Sequence, residues 1–136
     1  LRKGDEIYAF SSSGGYSVVS IITGHEINNG ILSNLPERVR DVRFDQDSGW
    51  IIMLYGKNMA IMSDLNSKPV IFRVPGPVMD VSPHDGGWKW TGWRHDGYLS
   101  NGKLNTFGRN EVGISLMGDM VLTNSGSWSS FYGDYQ

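Results

Sequence analysis

The sequence of 136 residues predicts an all-β protein made of repeated antiparallel units of four strands. Three observations support this prediction. A Val-x-Asp-Val segment occurs twice, at Val39–Val42 and again at Val78–Val81. Short runs rich in β-branched and aromatic residues alternate with Gly, Asn, Asp and Ser, which favour turns. No window keeps the apolar spacing of an α-helix over three turns.

Each Val-x-Asp-Val segment leads through a polar turn to a tryptophan, Trp50 in the first copy and Trp88 in the second. A period of about 40 residues is typical of a repeated supersecondary unit. We therefore expect full units over 39–74 and 78–107, with partial units over 6–35 and 118–136. Together they are expected to form one domain over 1–136.

The individual strands follow from the runs between turn residues. In the first partial unit, Glu6–Phe10 and Tyr16–Ile22 flank a Ser/Gly turn and are predicted to form a hairpin, followed by a strand at Ile31–Leu35. These three strands are interpreted as the last three of a unit.

The two full units repeat this order. Trp50–Tyr55 and Met59–Ser63 flank a Gly-Lys-Asn turn, and Val70–Val74 follows them. In the second unit the strands Trp88–Trp93 and Tyr98–Ser100 are separated by a predicted turn at 94–97, because its Asp-Gly pair is a strong turn signal. Met120, Val121 and then Trp128 are interpreted as the first half of a further unit.

Sequence patterns also predict structural roles for three acidic residues. Asp41 and Asp80 occupy the same place in the two copies, so we expect both to fix the strand by hydrogen bonds to backbone amides. Asp45 begins an Asp-x-Asp-Ser-Gly turn, and we expect its side chain to cap that turn.

Composition narrows the possible functions. The formal net charge is −2 with both signs interleaved, so the basic footprint of a nucleic-acid-binding protein is missing. We expect no membrane insertion, because no apolar run approaches 18 residues. The absence of cysteine excludes disulfides, thiol catalysis and thiolate metal sites.

Catalytic motifs are not recognisable either. There is no nucleophile elbow, phosphate loop or dinucleotide fingerprint, and the three histidines do not pair at metal-ligand spacing. We therefore expect no catalytic residues, no cofactor and no metal, although the sequence leaves open whether the protein has any enzymatic activity.

Four-stranded units with this period resemble the blades of a β-propeller. The segment 35–42 is similar to the blade opening of soluble quinoprotein sugar dehydrogenases, and 82–88 is similar to the Asp-box turn of sialidases. About three units cannot close a propeller ring, which needs at least four. The resemblance thus implies a fragment of a larger propeller or a ring shared by several copies, as in some short lectins.

A second resemblance points to another β architecture. Residues 90–99, the following Gly-Lys-Leu at 102–104 and the segment 118–123 resemble the strand–turn repeats of phage tail fibres. This resemblance implies a trimer with strands wound around a common axis. A β-sandwich is the remaining alternative for the fold.

The candidate binding site lies where the second copy departs from the first. Trp88 corresponds to Trp50 and is predicted to be core, whereas Trp90 and Trp93 are candidates for an exposed platform. Tyr55 follows Trp50 by the same five residues that separate Trp93 from Trp88. An exposed indole suits the apolar face of a sugar ring, and neighbouring polar side chains can bond its hydroxyls. The candidate ligand-binding residues are Trp90, Trp93, Arg94, His95 and Asp96.

These features favour a non-enzymatic recognition domain that binds a glycan or a protein at a cell surface, of the lectin or viral adhesion type. We expect a homo-oligomer or a part of a larger protein, in an extracellular or virion-associated setting. One alternative is a structural or assembly protein of a virion or scaffold, with Trp90 and Trp93 buried at a subunit contact. Another is a fragment of a sugar-acting propeller enzyme. The aromatic-rich stretch 125–135 either docks as an exchanged strand on a neighbour or forms a tail.

Overall fold

The structure is a computed structural model that describes residues 1–131, and it is all-β, as predicted. Three antiparallel sheets follow one another along the chain. The first contains β1 (Arg2–Lys3), β2 (Glu6–Phe10), β3 (Gly15–Ser20) and β4 (Glu26–Ile31). The second contains β5 (Val39–Asp45), β6 (Gly49–Leu54), β7 (Asn58–Met62) and β8 (Val70–Arg73). The third contains β9 (Val78–His84), β10 (Gly87–Ser100), β11 (Lys103–Met117), β12 (Met120–Thr123) and β13 (Trp128–Ser130). Within 1–131 no helix is long and apolar enough to cross a bilayer.

The predicted hairpins of the first two sheets are confirmed. β2 pairs with β3 and β6 pairs with β7, each across the turn that the sequence indicates. The strand predicted at Ile31–Leu35 is wrong, because β4 ends at Ile31. The Leu32 amide still donates to the Gly14 carbonyl in register with this ladder, and the chain has left the ladder at Asn34, which has a left-handed φ of 61°.

The middle sheet is buried on both faces. Trp50, Ile52 and Leu54 of β6 face the first sheet, whereas Ile51 and Met53 face the third. Alternate side chains of a strand point to opposite faces, so an uninterrupted apolar run marks a strand covered on both sides. The uninterrupted apolar run of β6 therefore indicates that the second sheet lies between two other layers.

Trp50 and Trp88 are core residues, as predicted, with exposed fractions of 3% and 1%. Trp50 lies between the first two sheets, where it contacts the rings of Tyr8 and Phe10 at centroid distances of 5.1 and 5.9 Å. Trp88 belongs to the apolar cluster between the second and third sheets. The repeated tryptophan therefore packs each sheet against the preceding one.

The long strand β10 reverses direction within its own length. A Cβ built on Gly87 would overlap the Leu99 carbonyl and lie 2.8 Å from the Cα of Ser100, at the strand's other end. An extended strand would separate these residues by about 40 Å. The reversal lies at Trp93 and Arg94, where the pairing is irregular and Arg94 has a φ of 61°. The turn predicted at 94–97 is therefore wrong, because these residues all belong to β10 and the reversal is a bend at Trp93 and Arg94.

Asp96 and Gly97 belong to the ladder that follows, opposite Phe107 and Thr106. The tight turn of this part of the chain lies instead at Asn101 and Gly102, both with left-handed φ values. Asn-Gly is the strongest short hairpin signal and here outweighs the Asp-Gly pair.

The strand β11 pairs with different strands along its two halves. The first half of β11 pairs with β10, and its second half pairs with β12, with Leu116 opposite Val121. A Cβ on Gly113 would overlap the Thr91 hydroxyl, so this second half packs closely against the first half of β10. Residues 132–136 of the predicted unit lie outside the described part of the chain.

The recurrent aspartates hold backbone amides, as predicted. Asp41 accepts a hydrogen bond from the Val42 amide at 2.8 Å, and Asp80 accepts one from the Val81 amide at 3.0 Å. Arg43 bridges the two carboxylates at 3.1 Å each. The motif therefore fixes each strand and links neighbouring sheets.

The turn after β5 also confirms its prediction. The Asp45 carboxylate accepts hydrogen bonds from the Asp47 amide at 3.1 Å and the Ser48 amide at 2.9 Å. This is an Asx turn, in which the side chain satisfies amides that would otherwise lack partners.

Candidate functional site

The five predicted site residues divide into a buried and an exposed set at the reversal of β10. Trp90 is wholly buried, so its prediction as an exposed platform is wrong. The strand's alternation places Trp90 on the same face as Trp88, against the second sheet. Its ring packs over Gly97, and its Nε1–H has no hydrogen-bond partner among the described residues, so Trp90 contributes apolar packing.

Asp96 is buried as well and cannot bond a ligand at the surface. Its Oδ2 lies 2.6 Å from Arg109 Nη2, its Oδ1 accepts from Arg109 Nε at 3.0 Å, and Thr91 Oγ1 donates to Oδ1 at 2.7 Å. Neither charged side chain has any exposed surface. The expectation that Asp96 binds sugar hydroxyls is therefore corrected. Asp96 has a structural role, because both of its carboxylate oxygens already accept hydrogen bonds within the protein.

Arg109 is a residue whose importance sequence reasoning missed. Besides Asp96, its guanidinium donates to Ser129 Oγ at 2.7 Å and to the Ser130 carbonyl at 2.6 Å. It therefore ties β13 to β10. The sequence carries no local signal for this pairing, because Arg109 is thirteen residues from Asp96 and Arg94 is nearer in sequence.

Trp93, Arg94 and His95 remain accessible at the reversal of β10. Trp93 is 55% exposed, Arg94 is exposed and His95 is half-buried. His95 Nδ1 lies 3.0 Å from the Trp93 carbonyl oxygen, which favours a proton on Nδ1. Neutral His95 then presents Nε2 as an acceptor for a hydroxyl group.

The backbone of Arg94 is unusual for its residue type. Its φ of 61° is left-handed, which costs a non-glycine residue about 1–2 kcal/mol. The other non-glycine residues with such angles among 1–131 are Asn34, Asp85 and Asn101, types that tolerate them. A strained backbone at an exposed cation is typical of a functional position.

Tyr55 is the structural counterpart of Trp93 in the second sheet. The Tyr55 amide donates to the Arg38 carbonyl at 3.1 Å, and the Trp93 amide donates to the Pro77 carbonyl at 3.0 Å. Tyr55 is 61% exposed. Two aromatic side chains thus project at equivalent ends of successive sheets. The equal spacing from Trp50 and Trp88 was the sequence signal that could have placed Tyr55 in the site.

Tyr55 also stands at the end of a cleft between the first and second sheets. The cleft has a volume of about 510 Å³ and runs between Phe10 and Ser12 of the first sheet and Val39–Val42 of the second. Near Tyr55, Arg38 Nη2 donates to Ser12 Oγ at 3.2 Å. An aromatic ring is therefore flanked by a guanidinium and a hydroxyl group, as Trp93 is flanked by Arg94 and His95.

The carboxylates give no sign of a paired catalytic site. Asp80 is held by Arg43 and by backbone amides, Asp96 is neutralised by Arg109, and Asp85 is a turn residue 3.5 Å from His84. In the described part of the chain, no group of three acidic or histidine side chains is placed to hold a metal ion. Comparison with protein-family models and with curated proteins finds no match to the chain.

Proposed function

We propose that the protein is a non-enzymatic recognition domain that binds glycans at a cell surface. The observation that carries this proposal is the pair of exposed aromatic side chains, Tyr55 and Trp93, at equivalent positions of successive sheets. The apolar face of a large aromatic ring that is more than half exposed suits the C–H face of a sugar ring.

Polar groups beside each ring support the same function. Arg94 and His95 adjoin Trp93, and Arg38 and Ser12 adjoin Tyr55. Arginine donates through several N–H groups, and neutral histidine accepts through Nε2, so both can bond vicinal hydroxyls. The proposed site therefore retains three of the five predicted residues and adds Tyr55, Arg38 and Ser12.

The proposed architecture is a propeller-like array whose ring is completed by a larger protein or by further copies. Three sheets follow each other in the same strand order, and each packs face to face on the next. Propellers contain at least four blades. An array of this kind places equivalent side chains, such as Tyr55 and Trp93, at the same end of each blade.

A glycan array probed with the purified chain tests the function. We expect binding to at least one class of saccharide, and we expect Tyr55→Ala with Trp93→Ala to weaken it tenfold or more. Ile22→Ala, at a side chain 77% exposed in a turn, is the matched control and should leave binding unchanged. Absence of any bound glycan, or full binding by the double variant, would refute the proposal.

An assembly role is the second candidate, because large apolar side chains are exposed at both ends of the array. Ile7 and Ile31 of the first sheet are 45% and 74% exposed, and Met117 and Trp128 of the last strands are 68% and 46% exposed. Exposed apolar surface of this kind often marks protein contacts. Light scattering separates the two roles. A monomer mass at all protein concentrations would rule out self-assembly and would not contradict glycan binding.

A further inference from the structure

The exposed side chains at the reversal of β10 are held in place by backbone contacts. The Trp93 amide donates to the Pro77 carbonyl at 3.0 Å, and the Trp93 carbonyl oxygen lies 3.0 Å from His95 Nδ1. A Cβ on the buried Gly76 would lie 3.1 Å from the Cβ of Trp93, so the tryptophan rests directly on the backbone of the loop at 74–77. Because both polar backbone groups of Trp93 are engaged, its ring and the side chains beside it are preorganised for a ligand.

Arg94 carries a positive charge beside this ring that no carboxylate of the described chain neutralises. The acidic residues adjoining this part of the sheet are Asp96 and Glu111, and both contact Arg109 instead, at 2.6 and 3.5 Å. Among residues 1–131, Arg94 takes part in no ion pair. Its side chain is exposed, so the guanidinium is available to an anion.

An arginine accompanies each of the two exposed aromatic rings, although the two arginines come from different positions of the repeat. The Arg38 carbonyl accepts from the Tyr55 amide, and Pro77 holds that place for Trp93. Arg94, in contrast, follows Trp93 directly in the sequence. Because the formal net charge of the chain is −2, the pairing of ring and cation is a local property and does not reflect a basic protein.

We propose that the ligand bound at Trp93 is a hexuronic acid residue, a pyranose whose C5 bears a carboxylate. The Trp93 ring packs on the C–H face of the sugar, and the Arg94 guanidinium donates two parallel N–H groups to the carboxylate. Neutral His95 accepts through Nε2 from the hydroxyl group on C4, which is adjacent to the carbon that bears the carboxylate. This inference rests on the proposed glycan binding and specifies its ligand.

The chemistry of these side chains separates hexuronates from other sugars. A sialic acid carries its carboxylate on C2, and the neighbouring C3 is a methylene group, so His95 has no vicinal hydroxyl to accept from. A neutral hexose keeps the C4 hydroxyl but offers Arg94 no charge, and hydrogen bonds between neutral and charged groups are weaker than those between two charged groups.

The Tyr55 end of the second sheet differs in its charge. The Glu37 carboxylate occupies the space that a side chain on Gly56 would fill. A negative charge therefore lies next to Tyr55 and offsets the positive charge of Arg38. We expect a preference for acidic sugars at Trp93 and not at Tyr55.

Titration with two methyl glycosides that differ only at C6 tests the assignment. Methyl β-glucuronide and methyl β-glucoside are added separately to isotope-labelled protein, and the shift of the Trp93 indole N–H resonance gives each dissociation constant. We expect the glucuronide to bind about tenfold more tightly, which corresponds to one charge-assisted hydrogen bond. Sodium chloride should reduce this preference, because it screens exposed charges. The methyl glycoside of a sialic acid should bind no more tightly than the glucoside.

Arg94→Gln removes the charge and keeps a hydrogen-bonding side chain. It should weaken glucuronide binding about tenfold and leave glucoside binding nearly unchanged. Arg2→Gln is the matched control, because it removes the same charge from an exposed arginine of the first sheet and should affect neither sugar. In each variant, the resonances of the buried tryptophans Trp50, Trp88 and Trp90 report whether the fold is retained.

Equal affinity for the glucuronide and the glucoside would overturn the hexuronate assignment and leave glycan binding in place. So would a preference for the glucuronide that survives in Arg94→Gln, or tighter binding of the sialic acid glycoside than of the glucuronide. If none of the three saccharides moves the Trp93 resonance, the assignment also fails, and the glycan array then decides separately on the proposed function.

Discussion

Asp96 and Arg109 form an ion pair with no exposed surface on either side chain, with Arg109 Nη2 2.6 Å from Asp96 Oδ2. The pair joins the segment after the reversal of β10 to the middle of β11. A buried charge without its partner is far more costly than the intact pair is stabilising. The third sheet thus depends on both residues together.

Asp96→Asn is expected to lower the free energy of unfolding by about 3–5 kcal/mol, because it deprives the buried Arg109 guanidinium of its buried carboxylate partner. Urea unfolding followed by tryptophan fluorescence measures the change. Glu111→Gln is the control, since Glu111 is 39% exposed and lies 3.5 Å from the same guanidinium. It should cost about 0–1 kcal/mol. A loss below about 1 kcal/mol for Asp96→Asn would contradict the structural role given to this pair.

Trp90 and Trp93 are expected to respond in opposite ways to truncation. Trp90→Ala removes a fully buried ring and should cost about 3–5 kcal/mol of stability. Trp93→Ala, at a side chain 55% exposed, should change stability by no more than about 0.5 kcal/mol. Thermal and urea unfolding of the two variants provide the comparison. Equal destabilisation would mean that Trp93 is a core residue.

Gly97 has no room for a side chain. A Cβ at this position would overlap the Asn105 carbonyl and lie 2.6 Å from the Trp90 ring, so Gly97→Ala should cost about 1–3 kcal/mol. At Gly108 nothing lies within 4 Å of a new Cβ, so Gly108→Ala is the matched control and should be nearly neutral. Similar melting temperatures for the two variants would contradict the close packing of Trp90 over Gly97.

Ionisation of Tyr8 is expected to make the folded protein less stable at alkaline pH. Burial, and then the hydrogen bond to Glu6 at 2.7 Å, raise the pKa of Tyr8 from its usual 10.0 to about 12. The folded protein therefore holds this proton more tightly than the unfolded chain does. The resulting stabilisation is complete below pH 10 and is lost as the pH rises to 12.

Tyr8→Phe is expected to remove this part of the pH dependence. The fall in melting temperature between about pH 9 and pH 11.5 should be smaller in Tyr8→Phe than in the wild type. Glu6→Gln should give an intermediate result, because it removes the neighbouring carboxylate and leaves the phenol buried. A fall in Tyr8→Phe as large as that of the wild type would assign the alkaline sensitivity to other groups.

The strained backbone of Arg94 is expected to lower the stability of the fold, whereas its side chain is expected to contribute to glycan binding. Arg94→Gly relieves the left-handed φ of 61° and should raise the free energy of unfolding by about 0.5–1 kcal/mol. The same variant should weaken glycan binding. Arg94→Lys keeps the backbone strain and should leave stability unchanged. If Arg94→Gly were less stable than Arg94→Lys, the side chain of Arg94 would be needed for folding.

Much of the fold was predictable from local patterns. The hairpins around residues 11–14 and 55–57 followed from turn residues between apolar runs, and the burial of Trp50 and Trp88 followed from their recurrence. The recurrent Asp41 and Asp80 hold backbone amides, as their repetition indicated. Each of these properties depends on residues that are close in sequence or that repeat.

The site was predicted less well, because exposure depends on what covers a sheet face. Trp90 and Trp93 are three residues apart on one strand with the same indole group, yet one is wholly buried and the other is 55% exposed. The difference arises from the second sheet, which covers the face of Trp90, and from the reversal, which carries Trp93 to the surface. Pairing of Asp96 with Arg109, thirteen positions away, likewise depends on how β11 folds back along β10.

The sequence by itself determined the all-β class, the repeating unit and the residues that form turns, because backbone preference and the two-residue alternation of strands are local properties. Only the tertiary structure decided which aromatic side chains are exposed and which charges are neutralised in the interior. These features depend on the faces and edges that distant strands bring together, and a strand's own sequence does not specify its neighbours.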